Sequence, residues 1–360
     1  MSIKNYLEKM LEKEASDIFY RIGGPVRMRI AGRIHAIDTN VLSLEDIHQA
    51  IKDLTTPEQV KVLQTQKDVD FAITMYMKEF DRRFRVSIFN QRNTPAIVIR
   101  SVRNKIDDFS TLNLPSKVFE QLSMESRGLI LLTGTTGSGK STTLASMIEH
   151  INTNCQKHIL TVEEPIEFVF RDKLSIINQR ELGADVISYP SALKAFTLQS
   201  PDVIFIGHIR DQETMFAALN AAETGVLVMS TLHTVNAMQS LERIINFFPP
   251  YQHNEMRMQL SLLLKGVISL RLVPSKDGLT RIPACEVMLN TPSIGRLIRE
   301  GKTWEIPEYI EQGELYGMQT FNQALVKLVR EGKVMEDVAS DYSDNKEEFY
   351  LMLKGIKKSQ

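Results

Sequence analysis

Eight consecutive residues, Gly134-Thr135-Thr136-Gly137-Ser138-Gly139-Lys140-Ser141, satisfy G-x-x-x-x-G-K-[ST] at every constrained position. Glycines at that spacing let the backbone curl so that successive amides point at one anion, and a helix opening behind them adds its dipole. A lysine there reaches the β- and γ-phosphates of a nucleoside triphosphate, and the following hydroxyl suits Mg²⁺. Gly134, Thr135, Thr136, Gly137, Ser138, Gly139, Lys140, Ser141 and Thr142 are therefore the candidate nucleotide ligands, with Ser141 as metal ligand. Hydrolysis also needs a group that holds or polarises water, usually a carboxylate ending a neighbouring strand. The apolar run Val203–Ile206 ends in Gly207-His208, with no carboxylate at either position. Carboxylates cluster instead in Glu163-Glu164-Pro165-Ile166-Glu167, just after the run Ile159–Val162, and His233 follows the run Val226–Met229. All lie where open α/β sheets bind ligands, outside the carboxyl ends of the strands. The competing reading is plainer: most charged side chains are simply solvated, and a lone histidine is more often structural. A third group is basic. Lys78, Arg82, Arg83, Arg85, Arg92, Arg100, Arg103 and Lys105 are opposed only by Glu79 and Asp81. Arg85, between Phe84 and Val86, faces away from the apolar side of its strand, either toward phosphates or simply into solvent.

The elements that must position these residues follow from periodicity. Leu129–Leu132 is a short apolar strand ahead of the phosphate loop, and Leu144, Met147, Ile148 and Ile151 share one face of the helix behind it. Further runs at Ile159–Val162, Val203–Ile206 and Val226–Met229 alternate with helical stretches, which predicts a parallel sheet covered on both faces. After Phe247-Phe248-Pro249-Pro250 the remainder (Asn254–Leu272, Ser293–Glu300, Thr320–Glu331, Asp344–Leu353) reads as mostly helical. The first hundred residues differ. Val26, Met28 and Ile30 alternate with Arg27 and Arg29, then Ala31-Gly32 turns toward Ile34 and Ala36, a hairpin pattern. Ser43 caps a helix carrying Asp46 in its first turn and Ile47 and Ile51 on one face. Val69–Met75, Phe84–Ile88 and Ala96–Val102 read as strands, so this part is a small α+β sheet with helices on one side. Residues 106–116, with Asp107-Asp108 and Leu114-Pro115-Ser116, read as a linker.

Composition bounds the rest. A chain of 360 residues suggests two domains at roughly 150 each. With 43 Lys+Arg against 44 Asp+Glu, net charge argues against whole-surface attraction to nucleic acid or anionic lipid and leaves only local patches for it. Stacking aromatics along a nucleic-acid path are not visible, so no nucleic-acid partner is expected. Cys155 and Cys285 cannot staple a chain of this size, which fits a reducing, cytoplasmic compartment. Met1–Asn5 leads into a charged, helix-like stretch with no apolar signal core, and no run approaches the ~18 apolar residues of a membrane span.

Across essentially the whole chain these motifs resemble the type IV pilus retraction ATPases, the PilT/PilU branch of the secretion-ATPase superfamily. Gly134–Ser141 is similar to the Walker A segment, Thr161–Glu167 to the Asp box, Ser200–Asp211 to an atypical Walker B segment, and Ala221–Gly225 through Thr231–Thr234 to the His box. Arg243–Pro249, Leu289–Pro292 and Gly317–Phe321 look closer to PilU than to PilT. The resemblance implies an α/β protein. A PAS-like N-terminal domain and linker would span residues 1–112, and a RecA-like ATPase domain with C-terminal helices residues 113–360. It implies a homohexamer that binds ATP with Mg²⁺ between its domains and extracts pilin from a filament. It further implies a cytoplasmic protein, peripheral at the inner membrane through the pilus platform protein and a PilT-type paralogue. Carried over by position, Glu163 and Glu167 are the Asp-box carboxylates and His233 the His-box residue. Arg85, Arg92 and Arg100 fall where the family's N-terminal arginines approach the nucleotide phosphates, a task that suits a fixed guanidinium fork.

One position departs from the pattern. The family's Walker B strand ends Gly-Glu, whereas here it ends Gly207-His208. An imidazole of ordinary pKa about 6.5 accepts a proton but brings no negative charge to a metal shell. Beside phosphates its pKa is expected to rise, which makes it a poorer base at neutral pH. Loss of a positioned base typically costs about 10²–10⁴ in rate. The expectation is a Mg²⁺-dependent motor ATPase with hydrolysis weakened at His208; the alternative is a non-hydrolysing accessory ring docking on an active PilT-type motor.

Overall fold

A computed structural model describes residues 2–75, 82–102 and 105–356 of the chain, which divide into units Met1–Asn104 and Lys105–Gln360. In the first unit, α1 (Ile3–Glu12), β1 (Asp17–Arg21), β2 (Arg27–Ile30), β3 (Arg33–Ala36), α2 (Leu44–Leu54), α3 (Pro57–Gln66), β4 (Asp68–Met75), β5 (Arg82–Gln91) and β6 (Thr94–Ser101) follow in order. Their strands form one antiparallel sheet in the order β3-β2-β1-β6-β5-β4. Strand alternation buries Phe84, Val86 and Ile88 against Ile3, Tyr6 and Ile47 of the helices and leaves Arg85 exposed. Ser43 and Thr56 each close a capping box, which fixes where α2 and α3 begin. Strand β1 and helix α3 carried no periodicity strong enough to be expected. Lys78, Glu79, Asp81 and Arg103 of the basic stretch lie outside the described residues.

In the second unit, α4 (Ser116–Ser123) leads into β7 (Gly128–Thr133), α5 (Lys140–Asn154), β8 (His158–Glu163), β9 (Ile176–Glu181), α6 (Tyr189–Phe196), β10 (Val203–Ile206), α7 (Gln212–Glu223), β11 (Leu227–Leu232) and α8 (Ala237–Asn246). Then come α9 (His253–Leu263), β12 (Leu264–Pro274), β13 (Arg281–Leu289), α10 (Pro292–Glu300), α11 (Ile306–Gln312), α12 (Phe321–Arg330), α13 (Glu336–Asp341) and α14 (Lys346–Leu353). The sheet runs β13-β12-β7-β11-β10-β8-β9, parallel throughout except for the β12–β13 hairpin. This is the RecA-like α/β arrangement expected. Alternate residues of each strand feed two cores: Leu129 and Leu131 pack on one face of the sheet, Ile130 and Leu132 on the other. The stretch 106–116 supplies Phe109 and Leu114 to that second core.

Two expectations are corrected. Asn254–Leu272 is helical only in its first half, because the helix stops at Leu263 and β12 begins at Leu264. The run Leu264–Leu272 is apolar enough for either state; pairing with the phosphate-loop strand on one side and β13 on the other decides for strand. The hairpin partner Arg281–Leu289 lies between the stretches read as helical, where no strand was expected. Glu163 also belongs to β8 rather than to the loop after it, its backbone paired with Glu181.

Candidate functional site

The phosphate loop begins where β7 ends. Gly134 has φ 141°, and a β-carbon there would stand 2.6 Å from the Leu270 carbonyl of β12 and 2.5 Å from Ser138 Oγ, so only glycine fits. Gly137 and Gly139 also take positive φ, and α5 opens at Lys140 with no side-chain cap. Its first amides are thus left for an anion. Lys140 is buried, and its Nζ donates to the carbonyls of Gly134 (2.7 Å) and Thr135 (2.9 Å). Burial lowers the lysine's pKa while Glu167 opposes that shift. Ser138 Oγ is buried without a hydrogen-bond partner, an orphan that a phosphate oxygen would satisfy. Uncapped amides, buried lysine and orphan hydroxyl together fit a polyphosphate, and Ser141, half-buried in the first helical turn, is placed to meet its metal.

A cavity of about 180 Å³ opens beside this loop, lined among others by Lys140, Ser141, Glu163, Glu167, His208 and His233. Glu163 is buried and accepts from Thr161 Oγ1 (2.7 Å) and Gln179 Nε2 (3.1 Å). Burial pushes its carboxyl up to about 7 against those bonds. Glu167 is exposed and lies in the electrostatic reach of Lys140. His208 is half-buried after β10, with its ring centroid 4.3 Å from that of His233. Burial lowers its pKa to about 4, helped by His233, Arg210, Lys140 and Arg243. The protein's own groups therefore act opposite to the expected upward shift: the expectation weighed phosphates alone, and these cations penalise the charged ring. Partial desolvation and Lys140 lower His233 likewise.

The three arginines belong to the first unit. Arg85 and Arg100 are cross-strand partners on β5 and β6, and Arg92 sits in the turn between these strands at φ 47°. Arg100 Nε also binds Asp17 Oδ1 at 2.9 Å, and Arg29 holds the other oxygen at 3.2 Å. Sequence reading gave no site role to Thr231, Arg210 or Tyr189, which also line the cavity. Thr231 was legible in principle, since it shares a strand face with His233 two residues on. Arg210, which pairs with Glu164 at 3.1 Å, stands two residues after His208. Tyr189, whose buried hydroxyl lacks a partner, lies on a helix that no motif marks.

A phosphate loop on this strand order is shared by many proteins; comparison of whole chains decides among them. The family described as "Type II/IV secretion system protein" matches residues 1–351. The chain belongs to that family. Among relatives within it, the type IV pilus ATPase PilU of Pseudomonas aeruginosa is 39% identical over 354 residues, covering 98% of this chain and 92% of that one. The type IV pilus retraction ATPase PilT of the same organism is 37% identical over 349 residues, covering 97% and 100%. Among solved structures, the retraction motor PilT with bound ADP superposes with a TM-score of 0.87 at 39% identity, covering 97% of this chain and 98% of that one. The Legionella pneumophila ATPase DotB shares the fold, with a TM-score of 0.80 at 24% identity over 99% of this chain and 96% of that one. This secretion-family chain is thus a homologue of type IV pilus retraction ATPases. Among its described residues no helix is long and apolar enough to cross a membrane.

Proposed function

We propose that this protein is a Mg²⁺-dependent motor ATPase of type IV pilus retraction, working as a homohexamer with slow hydrolysis. The observation that carries the reading is the cavity beside Lys140, in which a phosphate cradle, the carboxylates of Glu163, Glu164 and Glu167 and two histidines converge. In this reading the amides of Gly134–Ser141 and Lys140 hold the polyphosphate, and Ser141 holds Mg²⁺, which supplies charge neutralisation on the transferred group. Glu163 and Glu167 position the attacking water with His208, and His233 orders the same edge of the sheet. Arg85, Arg92 and Arg100 are assigned to phosphate charge, and the two domains are taken as residues 1–112 and 113–360. The protein is cytoplasmic and meets the inner membrane through the pilus platform protein. The name of the 39% identical PilU relative and the ADP in the PilT structure support nucleotide-driven retraction.

Gly207-His208 favours a second reading, an accessory ring that binds ATP without hydrolysing it and docks on a PilT-type paralogue. Steady-state Mg-ATPase of the parent, His208→Glu and Lys140→Ala separates the two. A motor hydrolyses above the Lys140→Ala background as it stands, and His208→Glu raises its rate by about 10²-fold or more. If only His208→Glu hydrolyses, the accessory reading holds. Equal rates in all three contradict the motor reading.

A further inference from the structure

The parallel register that pairs Ile206 with Ser230 also brings Thr231 beside the Gly207-His208 turn. The buried Thr231 Oγ1 lies 2.7 Å from the Gly207 carbonyl oxygen and 3.1 Å from His208 Nδ1. A threonine hydroxyl has one proton and must place it in one contact or the other. Were it directed at the ring, two oxygen lone pairs would face each other across 2.7 Å, and the Gly207 carbonyl would lack a donor among the described residues. The proton therefore points to Gly207, and the threonine oxygen is an acceptor toward His208. The ring must then carry its proton on Nδ1, which leaves the Nε2 lone pair free. Nothing among the described residues hydrogen-bonds to Nε2, and His208 and Thr231 line the same cavity as Lys140 and Ser141.

We propose that Thr231 is a positioning residue that fixes His208 in its Nδ1–H form, making Nε2 the proton acceptor for the attacking water; this rests on the ATPase reading above. The water oxygen forms a bond to the terminal phosphorus, and the bond from phosphorus to the leaving diphosphate breaks with its electron pair. The water proton passes to Nε2 and from there to solvent. Burial and the surrounding Lys140, Arg210 and Arg243 keep the ring neutral and so able to accept, while the same cations make it a weak base. Slow turnover follows from that. His233, with its ring beside that of His208, adds a second imidazole but no negative charge.

The test is magic-angle-spinning NMR of the sedimented full-length protein carrying ¹⁵N-histidine, with His208→Gln assigning the signal. Turnover and binding of a fluorescent ATP analogue are measured alongside. The expected parent spectrum shows His208 protonated on Nδ1 only, and Thr231→Val loses that preference. Thr231→Val lowers kcat by about 10- to 100-fold with KM little changed. In the His208→Glu background the same substitution changes kcat by less than about threefold, because no tautomer remains to fix. A parent signal protonated on Nε2, or an equal Thr231→Val loss in both backgrounds, overturns the inference even while the analogue binds. Failure of the parent to bind the analogue overturns the ATPase reading itself.

Discussion

Glu163 and Glu286 are both buried in the sheet of the second unit, and both show how the site is wired. Glu163 faces the cavity; Glu286 on β13 does not, and accepts from the Ala237 amide (2.7 Å) and Ser269 Oγ (3.0 Å). Thr133 Oγ1, the residue before the phosphate loop, donates in turn to Ser269 Oγ at 3.0 Å. A directed chain of bonds thus joins the end of β7 to the start of the helix that follows His233. Burial raises the Glu286 carboxyl to about 7, so the folded protein binds a proton that the unfolded chain has released above its ordinary value of 4.5. Stability contributed at this position is therefore greatest below pH 4.5 and declines as pH rises toward 7. Glu286→Gln keeps an acceptor oxygen and removes the titration. Its Tm relative to the parent should be higher at pH 8 than at pH 5; an unchanged difference between the two pH values would show that Glu286 does not titrate in this range.

At the scale of elements, the candidate site was more legible than the edge of its sheet. The glycine spacing of 134–139 can be read because its backbone geometry excludes other residues, as the close approach of Leu270 to Gly134 shows. Strands β8, β10 and β11 were legible because burial on both faces leaves unbroken apolar runs. Strand β12 was not: an apolar run directly after a helix keeps the helical pattern going, and only contact with distant β7 settles it. The tautomer of His208 was equally hidden, since it depends on a cross-strand neighbour. Beside the apolar core that Val273 shares with them, the C-terminal helices are tied to β12 by Arg271. Arg271 stacks over Phe321 at 3.7 Å, donates to the Tyr342 carbonyl at 2.7 Å and pairs with Asp344. Arg271→Ala should cost about 2 kcal/mol by denaturant unfolding, from a cation–π contact and a charge-assisted hydrogen bond. A loss below about 0.5 kcal/mol would mean that these helices are held by their apolar core around Phe321, Leu325 and Phe349 alone.

For the molecule as a whole, the division of labour follows from where the groups lie. Every residue lining the cavity beside Lys140 belongs to the unit Lys105–Gln360. The arginines that the family resemblance assigns to phosphate charge belong to Met1–Asn104, and Arg100 is already paired with Asp17 there. In the proposed reading, nucleotide affinity is thus expected to depend on the second unit, which carries the phosphate loop. In that reading affinity rests on Lys140, whose ammonium would exchange two loop carbonyls for phosphate oxygens as the nucleotide enters. Titration calorimetry of Mg-ATP into the parent and into Lys140→Ala tests that most directly. The account predicts saturable binding to the parent, weakened by about 100-fold in Lys140→Ala, in line with a charge-assisted contact of about 3 kcal/mol. Equal affinities in the two proteins, or no binding to the parent, would contradict it.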